Sequence, residues 1–134
     1  MGTRADFYIG RGATAEWIGS IAWDGYPDGI PAPILNATDE DTFRAEVAAL
    51  LSQRDDGTTP DMGWPWPWDD SGTTDYAYAF DGGQVYASNF GCSWWPATAE
   101  EPDDGQAKAA VFPDMSDRKA TTFGKRSGVM FFSA

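Results

Sequence analysis

The residues of this chain that could do chemistry are carboxylates and indoles, with no histidine beside them. The sequence holds 21 Asp and Glu, seven Trp and a single cysteine, Cys92, but no His. The absence of histidine excludes most general acid–base mechanisms, Cys–His nucleophilic pairs and zinc sites built from several His or Cys ligands. We therefore expect Cys92 to be a small interior residue, and we expect no enzymatic activity, no metal and no cofactor.

Pairs of carboxylates leave two minor alternatives open. Asp69 and Asp70 follow three tryptophans, and two acids beside aromatic rings are the machinery of many glycoside hydrolases. With 21 acids in 134 residues, however, such pairs also arise by chance. The segment DDSGTTD, residues 69–75, offers alternating oxygen ligands for calcium, but its spacing does not match an EF-hand loop, which has Gly at the sixth position and a bidentate Glu at the twelfth.

The densest aromatic motif is GWPWPWDD, residues 63–70, in which prolines separate Trp64, Trp66 and Trp68. Pro65 and Pro67 restrict each preceding tryptophan to extended or polyproline backbone. A polyproline helix sends the three rings in different directions, whereas a flatter path places them on one face. That face would either contact a ligand or partner, or pack on the protein's own sheet or helix, because three exposed indoles favour aggregation.

A second loop, GCSWWPATAEEPDDGQ over residues 91–106, repeats this mixture of tryptophan, proline and acid. Together the two loops predict one aromatic and acidic surface that contacts a partner. The predicted contact residues are Trp64, Trp66, Trp68, Asp69, Asp70, Trp94, Trp95, Glu100, Glu101, Asp103 and Asp104.

The net charge of −12 is distributed unevenly along the chain. Residues 12–107 contain 18 acids and two bases, Arg44 and Arg54, whereas residues 108–134 contain five bases and two acids. Such a field repels DNA, RNA and anionic membranes and speeds encounter with basic partners, although many acidic proteins are merely soluble. We therefore expect a protein partner with a basic surface, and neither direct nucleic-acid binding nor membrane binding.

The elements that position these loops are read from periodicity. Alternating side chains predict a hairpin of two strands, formed by the segments ADFYIGRG and EWIGSIAWDG. We expect Phe7 and Tyr8 to point to opposite faces of the sheet, and Trp17 and Gly19 to share one face. DYAYAFDGGQVYASNF predicts a second hairpin, and GVMFFSA at residues 128–134 a last strand. Thr38 as cap and an apolar stripe from Phe43 to Leu51 predict a helix over residues 39–54.

These elements predict one domain, residues 1–134, of the α+β class. We expect an antiparallel sheet of about four to six strands, with one principal helix packed on one face and long loops rich in Trp, Pro and Gly. The opening residues lack the apolar run of a signal peptide, and no stretch has the roughly 18 uninterrupted apolar residues of a membrane span. A cytoplasmic location in a bacterial host cell is the resulting expectation.

The segment MGTRADFYIGRG followed by EWIGSIAWDGYPDG resembles the opening of small uncharacterised proteins encoded by bacteriophages and prophages. The resemblance covers about the first 30 residues and contains no catalytic motif. It implies a phage or prophage setting and assigns no functional residue. In that setting, small acidic proteins without catalytic machinery often bind host components, including defence nucleases.

Three hypotheses follow from these observations. The first is a non-catalytic acidic binding protein, in its specific form an anti-CRISPR or other anti-defence inhibitor that engages a basic host protein. The second is a module that binds or sequesters a nucleotide or sugar, with indoles stacking and Arg4, Arg11 or the C-terminal bases meeting phosphate. The third is a phage structural or assembly protein.

Overall fold

A computed structural model of the protein describes residues 2–99 and 110–118. Five strands are present in the described part: β1 (Ala5–Ile9), β2 (Glu16–Ile21), β3 (Tyr76–Asp81), β4 (Gln84–Asn89) and β5 (Trp95–Pro96). Two α-helices, α1 (Ala32–Leu35) and α2 (Glu40–Ser52), lie between β2 and β3 in the chain. Short 3-10 turns are formed by Pro27–Gly29, Pro60–Met62, Ser71–Thr73 and Ser116–Arg118.

The five strands form one sheet in the order β2-β1-β3-β4-β5. Three neighbouring pairs are antiparallel, but β1 and β3 run parallel, with Ala5 beside Tyr76 and Ile9 beside Phe80. A parallel pair needs a long crossover, and the segment that contains both helices supplies it. The predicted α+β class and principal helix are therefore confirmed, whereas the sheet is mixed and not wholly antiparallel.

Both predicted hairpins are present, but β2 contains a bulge. Phe7 pairs with Gly19 and Tyr8 with Trp17, so Ile18 is an extra residue on β2. Ile18 packs against the helix-side core, whereas Trp17 lies in the layer on the opposite face of the sheet. The prediction that Trp17 shares a face with Gly19 is wrong, because an extra residue reverses the alternation of side chains.

Helix α2 begins one residue later than its predicted cap implies. Asp39, not Thr38, is the N-cap, and its carboxylate accepts a hydrogen bond of 2.8 Å from the backbone N–H of Thr42. Glu40 and Asp41 lie in the first turn, where the helix dipole favours negative charge. The predicted apolar stripe is confirmed, since the buried residues of this helix are Phe43, Val47, Leu50 and Leu51.

The two faces of the sheet are covered in different ways. The helices cover one face, and their core includes Phe7, Tyr78 and Phe80. The other face presents Ala77 and Ala79 from β3, and these small side chains leave room for large rings above them. Side chains from β1, from β2 and from the loops fill that room, and the large buried members of this aromatic layer are Tyr8, Trp17, Trp64, Phe112 and Met115.

Several sequence predictions concern residues outside the described ranges. They include the strand predicted at residues 128–134 and the acidic run within residues 100–104. The individual residues concerned are Glu100, Glu101, Asp103, Asp104, Lys108, Lys119, Lys125 and Arg126. Their predicted roles stay predictions.

Candidate functional site

The tryptophan loop, residues 63–70, lies on the aromatic layer with its rings turned toward the sheet. Trp64 is only 1% exposed and packs edge-on against Trp17, with 5.2 Å between ring centroids. Trp66 and Trp68 are half-buried and stack on each other at 5.7 Å. The loop therefore follows the second of the two predicted alternatives, in which the rings pack on the protein itself.

Each indole N–H of this loop donates to an acceptor in the same chain. Trp64 donates to the backbone carbonyl of Trp68 at 2.6 Å, and Trp68 donates to the Thr74 hydroxyl at 2.9 Å. Trp66 donates to Oδ1 of Asp6 at 2.7 Å. The N–H of a buried or half-buried indole usually has a hydrogen-bond acceptor within the protein. These three bonds therefore fix the orientation of the rings.

Asp6 is the centre of a buried polar cluster beneath the loop. Its side chain is fully buried and accepts hydrogen bonds of 2.6 Å from both the Ser20 hydroxyl and the Ser71 hydroxyl. Ser71 is in turn bonded to the hydroxyl of Tyr8 at 2.7 Å. The donors lie on β2, in the tryptophan loop and in the turn Ser71–Thr73, so one carboxylate on β1 joins these three segments.

Burial changes the acidity of both titratable groups in this cluster. It raises the pKa of Asp6, and the hydrogen bonds from Ser20, Ser71, Trp66 and Thr74 oppose that rise without cancelling it. Burial and then the neighbouring Asp6 raise the pKa of the Tyr8 hydroxyl. No role for Asp6 was predicted from the sequence. A signal was available, because the alternation of Asp6 with Phe7 places a carboxylate on an interior face of β1.

Arg4 contacts both stacked indoles of the tryptophan loop. Its guanidinium carbon lies 5.5 Å from the centroids of both Trp66 and Trp68. The Arg4 backbone N–H donates to Asp75 at 2.9 Å, and the guanidinium lies 3.8 Å from the same carboxylate. Arg4, which the sequence proposed as a phosphate contact, therefore has an aromatic and an acidic partner within the chain.

The second loop divides its two tryptophans between the two faces of the sheet. Trp94 is half-buried and lies 5.3 Å from Phe112 in the aromatic layer. Trp95 is 7% exposed and belongs to the helix-side core. Trp64 and Trp95, both predicted contact residues, are thus buried inside the fold, and of the second loop's tryptophans Trp94 joins those of the first loop in the aromatic layer.

Asp69 and Asp70 are exposed at the end of the tryptophan loop. The Asp70 carboxylate accepts from the backbone N–H of Gly72 at 2.8 Å and so caps the turn Ser71–Thr73. Within residues 69–75, the Asp70 carboxylate therefore stabilises a turn, and the Asp75 carboxylate is paired with Arg4. In the described residues, no group of three or more His, Cys, Asp or Glu is placed to hold a metal ion.

An exposed apolar pair that sequence reasoning missed lies at the end of β4. Phe90 is 56% exposed with φ +50°, Gly91 follows with φ +82°, and the N–H of Cys92 bonds to the carbonyl of Asn89 at 2.9 Å. Positive φ at both central positions defines a type I′ turn, which favours Asn, Asp or Gly over a bulky residue. Val111, 58% exposed, adjoins this turn, since Ala110 N–H bonds to the Gly91 carbonyl at 2.9 Å.

A groove of about 690 Å³ runs between α2 and the segment 55–62. Its floor includes Ile18, Val47 and Leu51, and Arg44 and Glu16 meet at one wall with 2.6 Å between charged atoms. The hydrogen bond from Arg44 holds the pKa of Glu16 below its usual value.

Within the described residues, none of the helices has the length and apolar character that a membrane crossing requires. Comparisons of the chain with protein-family models, with curated proteins and with solved structures found no match.

Proposed function

We propose that the protein is a non-catalytic binding protein whose acidic surface contacts a basic surface of another protein. The observation that supports this proposal most directly is that four arginines already have acidic partners within the chain. Arg4, Arg11, Arg44 and Arg54 each form an ion pair with a carboxylate of the same chain. With 21 acids against nine bases, these pairs leave a negative field that attracts a basic partner.

The aromatic layer contributes by holding acidic residues in place. Asp69 and Asp70 follow directly after Trp68, whose ring is stacked on Trp66 and bonded to Thr74. Two exposed carboxylates on a loop bound to the sheet lose little conformational freedom on binding, which favours affinity. In this proposal the tryptophans support the contact surface, and Asp69 and Asp70 form part of it.

The specific form of the proposal is a phage or prophage protein that inhibits a host defence nuclease. An acidic surface competes with nucleic acid for a basic groove, because both are negatively charged. The N-terminal resemblance to small phage and prophage proteins supports the setting, and the negative charge supports the kind of partner.

A charge-removal experiment tests the proposal. Tagged protein is used to capture bacterial proteins at low and high salt, and the partner is then purified for binding measurements. Asp69→Asn with Asp70→Asn removes two charges while keeping a residue able to cap Ser71–Thr73. Asp39→Asn with Asp41→Asn removes two charges from the start of α2 and serves as the matched control.

We expect the first pair to lower the association rate about tenfold at low salt and the control pair to change it little. Equal effects of both pairs, or binding that does not depend on salt, would contradict the proposal.

The groove favours a second candidate, a module that binds a small molecule. Its volume of about 690 Å³ is that of a ligand pocket. Titration with a panel of nucleotides and sugars, followed by amide chemical shifts of Val47, Leu51 and Met62, tests this candidate. Shifts confined to these residues would favour it over the protein-binding proposal.

A further inference from the structure

The turn Asn89–Cys92 carries a large apolar side chain, Phe90, whose ring contributes little to the packing of the described fold. Phe90 has φ +50°, a conformation that disfavours residues with a bulky side chain. Its ring is 56% exposed, so burial in the described fold does little to offset the strain. Residues held in such conformations concentrate at functional sites, which directs attention to this turn.

The turn is held rigidly from both sides. The Phe90 N–H donates to the Asp75 carbonyl at 2.9 Å, and the Asn89 side-chain amide donates to the same carbonyl at 3.0 Å. Gly91 lies so close to the turn Ser71–Thr73 that a Cβ there would come within 2.6 Å of the Gly72 carbonyl oxygen. The Phe90 ring therefore projects from a fixed backbone.

Three segments of the chain meet at this turn through backbone contacts. The Ala110 N–H bonds to the Gly91 carbonyl, so exposed Val111 directly follows a residue that contacts this turn. The Met115 N–H bonds to the Asp69 carbonyl at 2.6 Å, which joins the same segment to the acidic end of the tryptophan loop. The exposed residues that these joined segments contribute are named the Phe90 patch: Phe90, Val111, Asp69, Asp70 and Asp114.

We propose that the Phe90 patch is the binding hot spot of the protein, and that its occupant is a basic protein surface with an apolar socket. The inference rests on the proposed function and adds the residues and the partner chemistry. The exposed carboxylates match a basic rim, while Phe90 and Val111 match an apolar centre. A central apolar anchor with a polar rim is the usual distribution of binding energy at protein interfaces.

The substitution Phe90→Asn separates binding from folding. Asparagine favours the positive φ of a type I′ turn, so this variant keeps the turn and removes the ring. Tyr26→Asn, which removes another exposed aromatic ring, from the segment that follows β2, is the matched control. The probes are two synthetic peptides, one alternating Arg with Leu and one alternating Arg with Ser, titrated against labelled protein and followed by amide chemical shifts.

The expected result is that the Arg-Leu peptide binds about tenfold more tightly than the Arg-Ser peptide and shifts residues 69–70, 89–92 and 110–114. Phe90→Asn should weaken Arg-Leu binding about tenfold, with a melting temperature equal to or above that of the wild type, while Tyr26→Asn changes neither.

Four other results would overturn the inference. Equal binding of the two peptides at low salt would leave the proposed function standing and remove the patch from it, whereas binding of neither would count against both. A clear fall in melting temperature in Phe90→Asn would mean that the chain itself covers the ring. Concentration-dependent self-association that Phe90→Asn abolishes would assign the patch to a second copy of this chain.

Discussion

The indole Nε1 of Trp66 donates a 2.7 Å hydrogen bond to Oδ1 of Asp6, a carboxylate sixty positions earlier in the chain. This bond ties the tryptophan loop to β1 near the middle of the sheet, and the Ser71 hydroxyl adds a second tie to Oδ2. The loop is therefore part of the folded core, and its acidic end is held in a defined position.

Replacing Trp66 with phenylalanine should weaken this attachment. The variant removes one donor from a buried carboxylate and part of the stack with Trp68, so we expect the free energy of unfolding to fall by about 1–3 kcal/mol in urea titrations. Trp23→Phe is the control, because Trp23 is 49% exposed and its replacement should cost less than about 0.5 kcal/mol. Similar losses in both variants would show that the bond to Asp6 contributes little.

The raised pKa of Asp6 predicts how stability depends on pH. From the ordinary value of 3.8 upward, the unfolded chain loses its Asp6 proton while the folded protein retains it, so ionisation favours unfolding. Relative to Asp6→Asn, the wild type should therefore lose stability as the pH rises above 3.8, until the folded carboxylate also ionises. Paired denaturant titrations from low to neutral pH measure this difference, and a constant or opposite trend would contradict it.

The lowered pKa of Asp56 predicts that its contribution to stability depends on pH in the opposite direction to that of Asp6. Burial raises its pKa, but hydrogen bonds from Arg54 and from the backbone N–H groups of Trp23 and Ala22 outweigh burial, so its pKa is lowered. Its stabilising contribution is thus present above the ordinary value of 3.8 and is lost as the pH falls through the lower folded value.

Removing the Asp56 carboxylate tests its structural role. Its side chain is 1% exposed and lies 2.6 Å from Nε of Arg54. Asp56→Ala leaves this guanidinium and two backbone donors without their acceptor, and we expect a loss of about 2–4 kcal/mol at neutral pH. Asp55→Ala, at the exposed neighbouring position, should change stability by less than about 0.5 kcal/mol. Thermal melts of the two variants give the comparison.

Gly19 gives a test of the packing between β2 and α2. It has φ +152°, and a Cβ there would lie 2.4 Å from a Leu51 methyl carbon and 3.0 Å from the Thr58 carbonyl oxygen. Gly19→Ala should therefore cost about 2–4 kcal/mol, because strain and overpacking combine. Gly12→Ala has positive φ but no atom within 4 Å and should show only the smaller cost of strain. Equal costs would mean that the contact with Leu51 is unimportant.

Local periodicity was sufficient to predict the two hairpins and α2. The alternation of Tyr76, Tyr78 and Phe80, and the helical spacing of Phe43 and Val47, each reflect burial on one face of a single element. The sequence-based helix cap was wrong by one residue, because Asp39 and Thr38 are both competent caps.

Relationships between distant segments could not be predicted in this way. No local pattern specifies that β1 pairs parallel with β3, or that Ile18 forms a bulge. The role of Asp6 depends on Ser20, Trp66 and Ser71, which the sequence separates widely and the sheet brings together. The burial of Trp64 likewise depends on the small side chains of β3, which leave space above that face.

The parallel pairing of β1 with β3 also determines the order in which the protein can fold. Ala5 and Tyr76 are adjacent in the sheet, so the central contact closes a loop that includes β2, both helices and the tryptophan motif. Each hairpin can form within microseconds, but joining them requires this slower closure. During synthesis on the ribosome, the inner edge of β1 therefore remains without its partner until β3 has emerged.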